Sequence, residues 1–292
     1  MRVLSNLLRL RQNYLSFSTI KNARLYGSGN YVKGSYRGTP DHSGLYPVTL
    51  ISGDGIGPEI STSVQKIFEV AQVPVRWESV DVTPVFVNGL TGKMTIPAAT
   101  IDSIQRNTVA LKGPLATPIG KGHVSLNLTL RRTFSLFANV RPCRSISGCK
   151  TAYDDVDIVL IRENTEGEYS GIEHVLADGV VQSIKLITRD ACEKVLRFAF
   201  EYAQRIGRKK VTAVHKASIM SINLSFQEKC LIIHRKITDG LFVKTAYDIS
   251  KEYPGIELDT ERIDSSCLKI VSNPIPYNDR VLVMPNLYGG IF

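Results

Sequence analysis

From Tyr46 onward, apolar runs of strand length alternate with segments of helical period, and this alternation restricts the chain to a parallel sheet with helices on its faces. The first repeat of the pattern predicts a strand at Val48 to Ser52, a loop holding Gly53, Gly55 and Gly57, and a helix from about Pro58. Ile60, Val64, Ile67, Phe68 and Ala71 recur at helical spacing, so one face of that helix is expected to pack on the sheet. Asp157 to Ile161 and Lys210 to Val214 read as strands covered on both faces. Between them a long helix is predicted, with Val195, Phe198, Ala199, Tyr202, Ala203 and Ile206 as its buried stripe and Gly207 as its stop. Thr238 is expected to cap a further helix that Pro254 and Gly255 end, and Arg280 to Met284 gives a last strand. Only eight residues follow that strand, so its sheet neighbours are expected to be missing and an edge left uncovered.

Charge is distributed unevenly. Of the net +9, seven cations fall in Met1 to Pro40 (Arg2, Arg9, Arg11, Lys21, Arg24, Lys33, Arg37), a stretch without Asp or Glu. Val3, Leu4, Leu7, Leu8 and Leu15 lean toward one helical face, and with the serines this is the composition of a mitochondrial transit peptide. The body of the chain is nearly neutral, and no basic motif or aromatic platform supports nucleic-acid binding. No run of 18 apolar residues suggests a membrane span. Cys143, Cys149, Cys192, Cys230 and Cys267 form no CxxC pair and no zinc-type cluster, so they read as thiols in a reducing compartment.

Several segments carry chemistry. GDGIGPEI at Gly53 to Ile60 is a glycine-rich strand-to-helix turn, in which missing Cβ atoms allow close backbone approach; its GxGxG spacing is not the dinucleotide fingerprint. The run from Lys112 to Arg141 holds KGPLATP, then Ser125, Asn127 and Arg131, then ANVRPC with Arg141. Arg162 follows in IRENTEGEYSG. Each guanidinium is a planar fork for a carboxylate, so three of them from separate elements, joined by Ser125 and Asn127, suit a substrate with several carboxylates. Tyr169, and Lys216 in VHKASIM at a strand end, are candidate proton-transfer groups.

GDGIGPEI, LKGPL, RENTEGEYSGIEH, HKASIM and MPNLYG, taken in this order, resemble the isocitrate/isopropylmalate dehydrogenase family, and within it the mitochondrial NAD-dependent isocitrate branch. Ser125 and Asn127 stand where isocitrate enzymes meet the substrate's extra carboxylate and isopropylmalate enzymes place apolar residues. The resemblance implies oxidative decarboxylation of isocitrate to 2-oxoglutarate with NAD in the tricarboxylic acid cycle, by a hetero-oligomer of related subunits in the mitochondrial matrix. It also implies roles: Arg131, Arg141 and Arg162 clamp the substrate with Ser125 and Asn127. Tyr169 protonates the enol carbon, and Lys216 assists loss of the hydroxyl proton in a neighbouring subunit's site. Ile56, Lys112 and Thr117 lie at the cofactor, and Asp264 reaches a partner's Mg²⁺ or Mn²⁺.

The implied fold is α/β, the two-domain architecture of the isocitrate/isopropylmalate dehydrogenases with flanking helices. Residues 46–110 would begin the large domain, 111–250 would form the central substrate and dimer domain, and 251–292 would start a return to a large domain that is expected to be incomplete. The pattern breaks in two places. Gly290 replaces the first of two metal aspartates and the second is absent, as is a later His-Gly-Thr-Ala-Pro segment for the adenosine part of the cofactor. Residues 221–235, SINLSFQEKCLIIHR, read as an insertion just beyond Ser218, which stands where the family has Asn; Cys230 and His234 belong to that insertion rather than to a zinc site. A non-catalytic regulatory or decoy subunit, or a truncated inactive paralogue, therefore stands as the alternative.

Overall fold

The computed structural model describes residues 40–83, 85, 86, 94–116, 125–217 and 237–292. The transit-peptide reading, Thr117, Ser218 and the 221–235 insertion with Cys230 and His234 lie outside them. The chain divides into two compact units between Thr129 and Leu130.

In the first unit β1 (Tyr46–Ile51) lies between β2 (Val75–Ser79) and β5 (Ala110–Lys112), all parallel, and β3 (Val85–Phe86) pairs antiparallel with β4 (Met94–Thr95). Helix α1 (Gly57–Val70) follows the glycine loop, and α2 (Ala98–Asn107) precedes β5. Leu50 and Ile51 are buried, and the Thr49 hydroxyl is tied to Ser103 at 2.8 Å and receives Asn107 Nδ2 at 2.9 Å, which locks α2 to β1. The α1 stripe is not the expected one. Gly57 and Ser61 are buried, whereas Ile60 and Ile67 are 41% and 65% exposed. Gly57, Ser61, Val64 and Phe68 are spaced by four, three and four residues, and Phe68 rests on Trp77 with ring centroids 5.4 Å apart. The burying face is therefore rotated about one residue, or roughly 100°, from the line through Ile60 and Ile67.

In the second unit a sheet of order β11-β10-β12-β7-β6 comprises β11 (Glu257–Arg262), β10 (Lys210–His215), β12 (Arg280–Met284), β7 (Asp157–Glu163) and β6 (Ala138–Arg144). The first four are mutually parallel, and β6 runs antiparallel at the edge. Helices α4 (Arg189–Arg205) and α5 (Ile237–Ser250) cover one face, where Val195, Leu196, Ala199, Phe200, Phe242 and Ala246 meet Val159, Ile161, Val211 and Val283. Helix α6 (Ile263–Ser272), Tyr277 and the short α7 (Tyr288–Ile291) cover the other, against Ile158, Leu160, Leu282 and Met284. Thr188 Oγ1 caps α4 by accepting the Ala191 N–H, and Gly207 ends it at a φ of +75°.

Three expectations change here. Strand β12 is central, with parallel neighbours β10 and β7 on either side, so it leaves no edge of its own. Residues 257–284 join the sheet of residues 138–215, within the second unit. An unbroken apolar strand needs hydrogen-bonding partners on both sides, and the nearest apolar strands are those of the second unit. A hairpin, β8 (Gly167–Ala177) with β9 (Val180–Leu186), also stands between β7 and α4 where only a helix was expected, because its outward-facing Val175, Leu176 and Val181 give no single-face alternation. Thr238 lies inside α5 and is not its cap.

Candidate active site

In the first unit the glycine loop and the LKGPLA segment interlock. A Cβ on Gly53 would come 2.1 Å from Pro114 O, one on Gly57 2.2 Å from Ser52 O, and one on Gly113 1.9 Å from Ser52 O. These glycines let two backbones cross, which is packing between loops and not approach to a ligand. Only Gly55 among the three loop glycines has open space, and beside it Ile56 is 60% exposed. Asp54 completes the junction: its N–H donates to Pro114 O at 2.7 Å and its Oδ2 accepts the Ala116 N–H at 2.8 Å. Lys112 Nζ donates to Asn127 Oδ1 at 3.0 Å, so a predicted cofactor residue and a predicted substrate residue are joined, and Asn127 Nδ2 is held by Leu115 O. Ser125 is half-buried just before α3 (Leu126–Thr133), a helix that carries Asn127 and Arg131 at i, i+4 spacing.

In the second unit Arg162 sits at the end of β7, Lys216 just after β10, Asp264 just after β11 and Asn286 just after β12. The residues of interest thus line the carboxyl edge of parallel strands, where open α/β sheets bind ligands. Arg162 is 8% exposed, with its guanidinium carbon 5.7 Å from the centroid of the Tyr169 ring on β8. Burial, and behind it the charges of Arg131 and Arg141, draws Arg162 below the ordinary guanidinium pKa against an opposing contribution from Tyr169. Arg141 donates from Nε to Asn139 Oδ1 and from Nη1 to Gly289 O, both at 3.0 Å. None of Arg131, Arg141 and Arg162 forms an ion pair with Asp or Glu among the described residues. Three neighbouring cations without counter-ions call for a polyanion.

The acidic residues of RENTEGEYSG build the turn that carries Tyr169. Glu163 accepts the N–H groups of Thr165 and Glu166 at 2.7 and 3.1 Å, and Glu166 accepts the Thr188 N–H at 2.8 Å. Lys216 forms an ion pair with Asp264 at 3.1 Å, with both side chains about half exposed. The Lys216 hydrogen bond holds the Asp264 carboxyl below its usual range. Asp264 is one carboxylate already engaged by an ammonium, Gly290 offers none, and no cluster of three His, Cys, Asp or Glu exists among the described residues. These residues do not by themselves make a divalent-cation site, which needs several oxygens.

Two residues that the sequence reading passed over organise the site. Asp239 on α5 accepts Lys185 Nζ at 2.8 Å, the Lys216 backbone N–H at 2.7 Å and the Tyr288 hydroxyl at 2.8 Å. Burial pushes its carboxyl up, but Lys185, Tyr288 and the Lys216 N–H together hold it below its usual value. Burial and then Asp239 push the Tyr288 hydroxyl to about 12. A lone acid at the start of an apolar helix was the available signal for Asp239. Asn286, fully buried, accepts from Arg162.

A parallel α/β sheet with Arg162 at its carboxyl edge, and with Arg131 and Arg141 close enough for their charges to act on it, is a candidate anion site. The family profile described as isocitrate/isopropylmalate dehydrogenase matches residues 47–292, and the chain belongs to that family. It is 62% identical over 259 residues to "Isocitrate dehydrogenase [NAD] subunit 2, mitochondrial" of Saccharomyces cerevisiae, a match covering 88% of this chain and 65% of that one. It is 50% identical over 271 residues to "Isocitrate dehydrogenase [NAD] subunit alpha, mitochondrial" of Homo sapiens, covering 93% of this chain and 68% of that one. The crystal structure of isocitrate dehydrogenase from Methylococcus capsulatus superposes with a TM-score of 0.69 at 41% identity, covering 85% of this chain and 68% of that one. The chain spans about 65% of the length of the first curated relatives it matches.

Proposed function

We propose that this chain is a catalytic-type subunit of a mitochondrial hetero-oligomer that oxidises isocitrate with NAD to 2-oxoglutarate, CO2 and NADH. The observation that carries the reading is the cluster of buried Arg162 with half-buried Arg131 and Arg141, whose charges act on it, without an acidic partner among the described residues. The relatives are named as mitochondrial NAD-dependent isocitrate dehydrogenase subunits, which supports both the substrate and the compartment.

In this reading Arg131, Arg141 and Arg162 hold carboxylates of isocitrate, and the family resemblance assigns Ser125 and Asn127 to its remaining one. Lys216 receives the hydroxyl proton in a neighbouring subunit's site as the C–H bond of the same carbon breaks. NAD, when bound against Ile56, Lys112 and Thr117, supplies the hydride acceptor. Loss of CO2 from the resulting ketone leaves an enolate, and Tyr169, carried beside Arg162, donates the proton that completes 2-oxoglutarate. Asp264 would be offered to a divalent cation in a partner subunit's site, where such an ion would supply Lewis-acid polarisation of the substrate oxygen. Gly290 favours a second reading, a subunit that binds isocitrate without turning it over. The test is calorimetric titration of the folded chain with isocitrate, followed by NADH formation after mixing with a full-length yeast subunit. Binding with turnover on mixing supports the first reading and binding without turnover the second, whereas no binding removes both.

A further inference from the structure

Arg162 is the most buried of the three arginines, and what holds it is not a carboxylate. Asn286 Oδ1 accepts from Arg162 Nε at 3.0 Å and from Nη2 at 2.7 Å, so one amide oxygen spans the edge of the guanidinium that a carboxylate would normally take. Asn286 is itself fixed by donating from Nδ2 to Glu166 O at 2.7 Å, and it is 0% exposed. The opposite wall is equally close. A Cβ on Gly289 would fall 2.5, 2.6 and 2.8 Å from Cγ, Cβ and Cδ of Arg162, so the bare backbone of residue 289 confines the aliphatic stem. At the next position a Cβ on Gly290 would lie 3.4 Å from Nη1.

These contacts separate two tasks that one acidic residue would merge. An Asp or Glu on the Nε–Nη2 edge would orient Arg162 strongly but cancel its charge, leaving little attraction for an anion. A neutral amide orients the group and leaves the charge in place. We propose that Asn286 is the positioning residue for Arg162: held by a neutral acceptor and walled in by Gly289, the guanidinium presents its Nη1 end, fully charged, to a substrate carboxylate. This deepens the proposed function and rests on it for the identity of the anion.

The experiment is a double-mutant cycle on the full chain with isocitrate as the calorimetric probe, using N286A, R162A and the pair. N286A is expected to weaken binding about tenfold to a hundredfold, the range for hydrogen bonds to a charged group. In the R162A background the same change is expected to do almost nothing, because its effect passes through Arg162. A residue that merely braces the backbone at Glu166 would weaken binding equally in both backgrounds, and that result overturns the proposal. N286D guards against a folding failure of N286A. It keeps an acceptor on the same edge yet neutralises the charge, so affinity is expected to fall while the slowly exchanging Arg162 Nε–H signal, identified by its loss in R162A, persists; wild-type affinity in N286D overturns the proposal. If the wild-type chain does not bind isocitrate, the substrate reading fails alone. The positioning claim is then decided by the Nε–H signal, which N286A should lose and which, if retained there, refutes it.

Discussion

Replacing Asp239 by Ala removes the acceptor on which three donors converge, and the structure allows the loss to be sized. The Asp239 side chain is 3% exposed and its partner Lys185 20%, so this is a buried ion pair, and breaking such a pair destabilises by about 3 to 5 kcal/mol. The lower end applies, because Lys185 keeps Glu168 at 3.1 Å and the Tyr288 hydroxyl at 3.2 Å. What remains without a partner is the backbone N–H of Lys216, together with the hydroxyl proton of Tyr288. About 3 kcal/mol corresponds to a fall in Tm of roughly 6 to 12 °C for a unit of this size. Asp239→Asn retains one acceptor and should lose only about 1 to 2 kcal/mol. The sign with pH follows from the depressed carboxyl. Its contribution is fully present above the unfolded carboxylate value of about 4 and fades as pH falls through the lower folded value, so the gap between wild type and variant should be constant from roughly pH 5 to 8 and close below about 4. Thermal unfolding followed by near-ultraviolet circular dichroism across that range measures it. An Asp239→Ala protein within about 0.5 kcal/mol of wild type at pH 7 would falsify the claim that this carboxylate organises the second unit.

On the proposed reading Ser125→Leu removes a hydroxyl partner of a substrate carboxylate, so it should weaken isocitrate binding by about 1 to 3 kcal/mol and leave NAD binding unchanged; parallel titrations with the two ligands decide it. Tyr169→Phe retains the ring beside Arg162 but not the proton, so 2-oxoglutarate formation in an active mixed assembly should fall about a hundredfold while isocitrate affinity holds. Gly53→Ala, forced against Pro114 O at 2.1 Å and at a φ of +79°, should destabilise the first unit by more than about 1 kcal/mol, seen as an earlier urea transition with unit two unmoved.

The strands at 157–163, 210–215 and 280–284 were legible because runs of consecutive apolar residues admit little else, and the three arginines were legible because their motifs carry them. What the sequence concealed was set by tertiary partners. Helical periodicity gave α1 the right length but the wrong face, since Gly57 and Ser61 pack by being small and no hydrophobicity pattern marks them. The glycine loop looked like a ligand cradle, yet Gly53 and Gly113 are needed where two loops some 60 residues apart cross, and Gly57 where its own loop folds back on Ser52. The ion pair of Asp264 with Lys216, 48 residues earlier, was likewise not legible in the sequence. Asn286 lies within a quoted motif, but its role depends on Arg162, 124 residues earlier, a pairing that only folding reveals.

The central position of β12 bears on how the second unit comes to exist. Its neighbour β7 pairs Val281 with Val159 and Met284 with Arg162, and β12 is the last of the sheet's strands to be synthesised. Before it is synthesised, one edge of β10 and one edge of β7 have no partner strand, and unpaired apolar edges of this kind attract chaperones and other nascent chains. Sheet closure therefore waits for nearly the whole unit and requires long loops to close before any central ladder forms, which predicts slow folding. Arg162 is held by Asn286, two residues beyond β12, so the candidate anion site would be assembled by the same late event that closes the core.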